Sequence, residues 1–366
     1  MNNIIGKYNP LSILYNSTFN LIWGKSYSKS SCLIKKPPSK FIENINLLIF
    51  DMDGVLRIGN NPIELARNTF NNLVETEIPI CIVTNECRRT PKTIGKELKN
   101  MGYNINSNIK IFSAGQLMLT KIIEIIENNL KQQSPQKKMS FGIIGEQSFY
   151  QFISQNIYNK YGINSVNFYW IYEKVKPNNI DYFVVGCLSN QIPEILEKHI
   201  DRLNIWITGN VTANYLLTCP DTRDVENLNK ILNVSPKMII QLITDKQLSI
   251  QKTMKNIDEI ENSKSLINHI KTHIEIPSKP NTTLFKKEIE THYGVKFENE
   301  NKNETKSSIL MVGDNIKTDI QFANNLNIHS CLVLTGVTSY DNLKNATIQK
   351  NNIDFIIPDI SYLLSV

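Results

Sequence analysis

The chain has 366 residues, 41% of them apolar and 20% charged, enough for two domains or for one domain with a large insertion. No stretch approaches the roughly 18 consecutive apolar residues of a spanning helix, so no membrane partner is expected. The formal net charge of +6 is concentrated in residues 1–42, which hold six lysines (Lys7, Lys25, Lys29, Lys35, Lys36, Lys40) and no acid; the remaining body balances 34 basic against 34 acidic residues, which does not suggest a nucleic-acid-binding domain.

Residues 1–42 are rich in Asn, Ser and Lys and end in Lys36-Pro37-Pro38-Ser39-Lys40, the composition of a disordered tail or linker. An acid-poor, Ser-rich leader also suits mitochondrial import, but this one lacks arginine. The expected location is cytoplasmic, with the mitochondrion as the alternative. Cys32, Cys81, Cys87, Cys187, Cys219 and Cys331 are scattered without a C-x-x-C pair and read as reduced thiols. His269 and His273 share a helical spacing, but no glutamate follows the first in an H-E-x-x-H pattern, and they read as part of a solvated face.

Leu47 to Phe50 is an apolar run too short for a helix and suited to a buried strand. It leads into Asp51-Met52-Asp53-Gly54, which puts both carboxylates at the carboxyl edge of that strand. Open α/β sheets place their chemistry at this edge. Two nearby acids in different environments can divide labour, one ionised as nucleophile or metal ligand, the other carrying a proton. Residues 62–75 set Ile63, Ala66, Phe70 and Leu73 on one side of a helix, and 79–84 form a second strand. Residues 91–102 begin at Pro91 and end at Gly102, as a helix does. Residues 109–112 are a third strand. The alternation predicts an α/β fold, a Rossmann-like doubly wound parallel sheet.

The pattern restarts near residue 140. Residues 141–144, 166–171, 182–185 and 205–208 are strand-like, with helical stretches at 146–160 and 191–202. Residues 246–272 are polar and charged without Gly or Pro, and read as surface helix. Glu298 to Lys306 reads as a polar loop. Ile309 to Val312 is another buried strand, followed by Gly313-Asp314, a helix and strands at 331–334 and 353–357. The first fold therefore resumes at the end of the chain. A core of residues 43–117 and 273–366 is expected, with a second α/β unit inserted at 118–272.

Four strand ends then present polar groups: Asp51 with Asp53, Thr84-Asn85, Lys279-Pro280, and Gly313-Asp314-Asn315 with Thr318 and Asp319. Carboxylates suit Mg²⁺, a hard cation that prefers oxygen. A lysine and a hydroxyl neutralise a phosphoryl group. Singly, each has a plain structural reading: a turn at Asp51-Met52-Asp53-Gly54, a helix N-cap at Thr84, a surface lysine, and a helix cap at Asp314-Asn315.

Taken in order, D-M-D-G-V, the strand ending in T-N, the K-P pair and M-V-G-D-N-I-K-T-D-I resemble the four motifs of the haloacid dehalogenase superfamily. The resemblance spans essentially everything from residue 46 onward. Asp51 to Thr84 is 33 residues, too short for a helical cap between the first two motifs, whereas Thr84 to Lys279 is 195 residues and has room for an α/β cap. This is similar to subfamily IIA, with its NagD-like nucleotidases and its 4-nitrophenyl, phosphoglycolate and pyridoxal phosphatases. Leu334-Thr335-Gly336-Val337-Thr338 and Thr218-Cys219-Pro220-Asp221 match that subfamily too.

The resemblance implies a phosphatase with Mg²⁺ as cofactor. Asp51 would be the nucleophile and Asp53 the acid/base. Asp51, the Asp53 carbonyl and Asp314 would hold the metal. Thr84, Asn85 and Lys279 would hold the phosphoryl group, with Asp319 and Asn315 in support and Asp221 facing the substrate from the cap. Small phosphorylated metabolites are the implied substrates and a homodimer through the cap the implied assembly. A phosphotransferase, or a catalytically weak regulatory or scaffold protein, remains an alternative. The chain departs from the pattern at Glu86, an acid beside the phosphate motif, at Ser278 and Asn327, where glycine is common, and in the 246–272 segment.

Overall fold

In the computed structural model the described residues are 34–131, 138–173, 177, 179–186, 213–217, 274–275, 277–297, 306–345 and 352–364. Leu47–Phe50 (β1) is buried at all four positions, the pattern of a strand covered on both faces. A two-residue-per-strand hairpin follows, Arg57–Ile58 (β2) with Asn61–Pro62 (β3). Then come helix Glu64–Val74 (α1), strand Ile80–Thr84 (β4), helix Pro91–Asn100 (α2), strand Lys110–Ser113 (β5) and helix Ala114–Lys131 (α3). The next elements are Met139–Gly145 (β6), Gln147–Tyr161 (α4), Val166–Trp170 (β7), Tyr182–Gly186 (β8), Asn214–Leu217 (β9) and Ile274–Glu275 (β10). Helix Thr283–Tyr293 (α5), strand Ser307–Gly313 (β11), helix Gln321–Asn325 (α6) and strands Ile328–Val333 (β12) and Phe355–Ile357 (β13) close the described chain.

Among the described residues, six strands form one parallel sheet in the order β13-β12-β11-β1-β4-β5. The early strands run outward from β1 on one side and the late strands on the other. The crevice between the carboxyl ends of β1 and β11 is therefore the topological switch point, where such sheets bind ligands. The period of two along β1 divides the core. Leu48 and Phe50 pack with Phe70 and Leu73 of α1 on one face, and Leu47 and Ile49 pack with Phe285, Ile289 and Phe322 on the other.

A second parallel sheet has the order β10-β9-β8-β6-β7. Its core joins Phe141, Ile143 and Phe168 to Phe149, Ile153 and Ile157 of α4. Helix α3, which the sequence reading passes over, belongs to both bodies. Leu117 packs with the first sheet, and Met118, Ile122 and Ile126 with the second. The boundary expected after residue 117 thus falls inside an unbroken helix. The boundary expected at 273 also moves, because Ile274 and Glu275 still pair with β9.

Part of the stretch read as a tail is built into the fold. Lys35 exchanges two backbone hydrogen bonds of 2.9 Å with Ile356 on the sheet's edge strand, and Ile42 is buried. An edge strand offers unpaired backbone groups, which composition does not reveal. The readings at 191–202, 205–208 and 246–272, and most of the 298–306 loop, lie outside the described residues. No described helix is long and apolar enough to cross a membrane.

Phe70 is fully buried, with its ring 5.5 Å from those of both Phe50 and Tyr103. Phe70→Ala is expected to cost about 3–5 kcal/mol in urea unfolding, because these neighbours cannot close the cavity.

Candidate active site

Lys279 ties the strand ends together. It is 1% exposed, and its Nζ donates to Asp51 Oδ1 at 2.6 Å, to Asp319 Oδ1 at 2.7 Å and to the Val83 carbonyl at 2.8 Å. All three ammonium hydrogens are used, and a buried cation needs such partners to stay charged. Burial alone would pull its pKa down, but Asp319 and Asp51 outweigh that and hold the ammonium above its ordinary value. Asn85 sets the backbone beneath it: its amide oxygen accepts from Lys279 N at 2.9 Å and its Nδ2 donates to Lys279 O at 3.1 Å. Asn85, expected on the substrate, is thus seated on the lysine's own main chain. Ser278 is absent from the positive-φ positions, so this departure from the motif brings no left-handed backbone strain. Asn327 does take the left-handed conformation, with φ 53°, which asparagine tolerates.

Asp319 stands on a single π-helical turn, Ile316–Ile320, in which Ile320 N reaches back to Asn315 O at 3.3 Å. Such turns are frequent at functional sites. Its Oδ1 serves Lys279, and its Oδ2 accepts from Asp314 N at 3.1 Å and Asn315 N at 3.0 Å. Both oxygens are engaged, so Asp319 works as a brace. Asn315 caps the turn by accepting from Lys317 N at 2.9 Å.

Asp314 sits against two glycines. A Cβ on Gly54 would lie 2.2 Å from Asp314 Oδ2, and one on Gly336 1.9 Å from it. Gly54 also has φ +83°, a conformation that suits glycine. Asp314 Oδ2 accepts from Val337 N, and Thr335 Oγ1 donates to Gly54 O. The Leu334–Thr338 stretch therefore holds the acid and the turn after β1 in contact.

Thr84 is buried, and its Oγ1 accepts from Glu86 N at 3.1 Å, which leaves its hydroxyl proton to donate. Glu86 points into its own arginines. It accepts from Arg88 N at 2.7 Å, Arg88 Nε at 3.1 Å, Arg88 Nη2 at 3.2 Å and Arg89 Nη2. Burial opposes its charge, but the hydrogen bonds from Arg88 and Arg89 prevail and its pKa falls to about 2. The acid that departed from the motif is thus neutralised inside its own loop.

Asp53 lies apart. Its side chain is 53% exposed and its Oδ1 accepts from Arg57 Nε at 2.8 Å. Arg57 is itself buried and also donates to Glu97. Neither Arg57 nor Glu97 was singled out in the sequence. Their signal is tertiary, since Glu97 is 40 positions from Arg57. Asp221 lies outside the described residues. Among the described cysteines, Cys81 and Cys331 are free, but Cys87 is disulfide-bonded. The reduced reading fails there because a disulfide can join cysteines distant in sequence, which spacing does not show.

Ligand atoms of Asp51, Asp314 and Asp319 lie within 4.8 Å of one another. Burial, and then the charge of Asp319, push the pKa of Asp314 up to about 7. Burial also drives Asp51 well above its ordinary value, more than Lys279 pulls it down. Three carboxylates face one ammonium here, so the oxygen donors and the excess negative charge both suit a divalent cation.

Residues 48–151 match the family model described as haloacid dehalogenase-like hydrolase, and residues 276–363 match the one described as HAD-hydrolase-like. The chain belongs to the haloacid dehalogenase-like hydrolases. The two matched segments carry all four motifs of this hydrolase and leave most of the second sheet between them. No curated protein matches its sequence. A solved structure described as a possible sugar phosphatase from Cytophaga hutchinsonii shares its fold, with a TM-score of 0.57 at 15% identity, over 90% of this chain and 98% of that one. A 4-nitrophenylphosphatase from Thermotoga maritima is also similar, at 18% identity, over 88% and 97% of the two chains, with a TM-score of 0.49.

Because Glu86 titrates at about 2 in the folded hydrolase against an ordinary 4.5, its contribution is complete above pH ~4.5 and disappears as the pH falls toward ~2. Glu86→Gln is expected to lose on the order of 2 kcal/mol at pH 7. In urea unfolding, the gap between variant and wild type should hold from pH 7 to about 4.5 and narrow as the pH falls from there to 3.

Proposed function

We propose that this hydrolase is a Mg²⁺-dependent phosphomonoesterase acting on small phosphorylated metabolites through an aspartyl-phosphate. The observation that carries the reading is the setting of Asp51. One of its oxygens is pinned by the buried Lys279 ammonium at 2.6 Å, and the other accepts no hydrogen bond from a described residue. A carboxylate oriented at one oxygen and open at the other, at the switch point of the sheet, suits a nucleophile. The lysine favours the carboxylate's charged form against the burial that opposes it, and has the position to neutralise phosphoryl charge.

In the first half-reaction an Asp51 oxygen bonds to phosphorus as the bond from phosphorus to the ester oxygen breaks. That oxygen takes a proton from Asp53 and leaves as the alcohol. In the second, a water oxygen bonds to phosphorus, the bond to Asp51 breaks, and the water proton passes to Asp53. The Thr84 hydroxyl holds a phosphoryl oxygen, the charge of Lys279 offsets that of the phosphoryl group, and Asn85 and Asp319 keep Lys279 in place. Bound by Asp51, Asp314 and the Asp53 carbonyl, Mg²⁺ would supply positive charge that offsets repulsion between these carboxylates and the phosphate. Catalysis is then mainly placement and electrostatics. We read the second sheet as a cap that closes over the site and selects the leaving group.

Purified protein with Mg²⁺ is expected to release phosphate from 4-nitrophenyl phosphate, and Asp51→Asn is expected to abolish it. Turnover that survives Asp51→Asn would remove the aspartyl-phosphate from the proposal. Mg²⁺ alone is expected to raise the unfolding temperature of the wild type, since a ligand of the folded state stabilises it. The rise should vanish in Asp314→Asn.

A further inference from the structure

Asp53 and Arg57 are joined more firmly than an exposed i,i+4 pair requires. The chain folds back between them: Gly54 N donates to Arg57 O at 2.7 Å and Arg57 N donates to Met52 O at 3.2 Å. This short loop places the base of the arginine under the turn that follows β1. The Arg57 side chain is 3% exposed, whereas that of Asp53 is 53% exposed. The guanidinium is therefore the fixed partner and the carboxylate the one being held.

Arg57 is fixed from its other side as well. Its Nη1 donates to Glu97 Oε2 at 3.1 Å, on α2. The same oxygen accepts from Arg89 Nη1 at 2.6 Å, and Arg89 donates onward to Glu86 in the loop after Thr84. Arg88, on the same glutamate, stands 3.7 Å from Glu146 at the head of α4 in the second sheet. An arginine presents a rigid planar fork that cannot lose its charge. Here Nε points one way and Nη1 the other, so the direction of the Nε–H bond is set by Glu97 as well as by the backbone. A half-exposed aspartate without this bond would sample its rotamers freely, at an entropic cost each time it returned.

We propose that Arg57 is a positioning residue for Asp53. It holds the acid/base carboxylate in one orientation, and through Glu97 and Arg89 keys that orientation to the loop carrying Thr84. The proposal rests on the phosphatase reading above. It makes a distinction that reading does not, because the two half-reactions use Asp53 differently for different leaving groups. The 4-nitrophenolate ion leaves without a proton. Phenolate, a much stronger base, is helped by one from Asp53. Breaking the hold should therefore spare attack on 4-nitrophenyl phosphate and slow attack on phenyl phosphate, while removal of the water proton slows for both.

The test is the kinetics of Arg57→Gln and Arg57→Lys on these two esters, with Mg²⁺ present. In Arg57→Gln, kcat/KM for phenyl phosphate is expected to fall at least about tenfold more than kcat/KM for 4-nitrophenyl phosphate, a part of what a general acid contributes. With 4-nitrophenyl phosphate, kcat should fall and a rapid release approaching one 4-nitrophenolate per site should precede the steady state, as phosphorylated Asp51 accumulates. Arg57→Lys, which keeps the cation without the fork, should restore part of the ratio. An equal fall in kcat/KM for both esters with no rapid release would mean that Arg57 serves the fold alone and would overturn the proposal, as would wild-type behaviour. If Arg57→Gln does not fold, Glu97→Gln decides in its place, since it loosens the anchor from a half-buried position and should shift the ratio in the same direction. Absence of Asp51-dependent turnover in the wild type is a separate outcome and strikes at the phosphatase reading itself.

Discussion

One ammonium organises this protein. Lys279 Nζ ends on Asp51, Asp319 and the Val83 carbonyl, groups from three segments that are 40 to 228 positions away in the chain. A lysine that is 1% exposed has no water to fall back on, so each partner must be in place for the ammonium to stay charged. The consequence runs both ways. The strand ends need the lysine to offset their crowded carboxylates, and the lysine needs the strand ends. Much of the surrounding structure serves this arrangement, including the Asn85 amide on the lysine's backbone and the π-helical turn that presents Asp319.

Around that point the site is built by close approach. Gly54 and Gly336 leave the Asp314 carboxylate room that a single methyl group would fill. The Val337 N–H reaches it from the same side. The late Thr-Gly-Val stretch and the early Asp-Gly turn are parts of one wall, although 281 positions separate the Thr335 hydroxyl from the Gly54 carbonyl it bonds. Burial behind this wall, and then the charge of Asp319, raise the pKa of Asp314 to about 7. Such a site favours a divalent cation and disfavours an empty, fully ionised state.

A different balance holds on the Asp53 side. Three arginines, Arg57, Arg88 and Arg89, alternate with Glu97, Glu86 and Glu146 from the turn after β1 to the head of α4. Glu86 looked like a liability beside a phosphate motif. In the fold it is consumed by its own loop, and with the neighbouring arginines it forms a scaffold that leads to Asp53. Asp51 is thus held by a buried lysine and Asp53 by a buried arginine, from separate parts of the fold.

The core strands, the first two helices and the polar ends of β1, β4 and β11 are legible in the sequence because local patterns dictate them, whereas Lys279 follows a strand of the second sheet and reaches these ends only in the fold. A four-residue apolar run can only be a covered strand here, and a parallel sheet must bring its carboxyl ends to one edge. Helix α3 was passed over although Met118, Ile122 and Ile126 recur at helical spacing; that Leu117 serves the other core was visible only in the fold. The pairing of Lys35 with Ile356, the second role of Asn85 and the hold of Arg57 on Asp53 were equally hidden, since each depends on a partner that folding alone brings near. The sequence by itself determined the parallel α/β core and the polar residues that stand at the ends of its strands. Tertiary structure decided what each one touches, because hydrogen-bond partners and burial belong to the packed chain and not to the order of its residues.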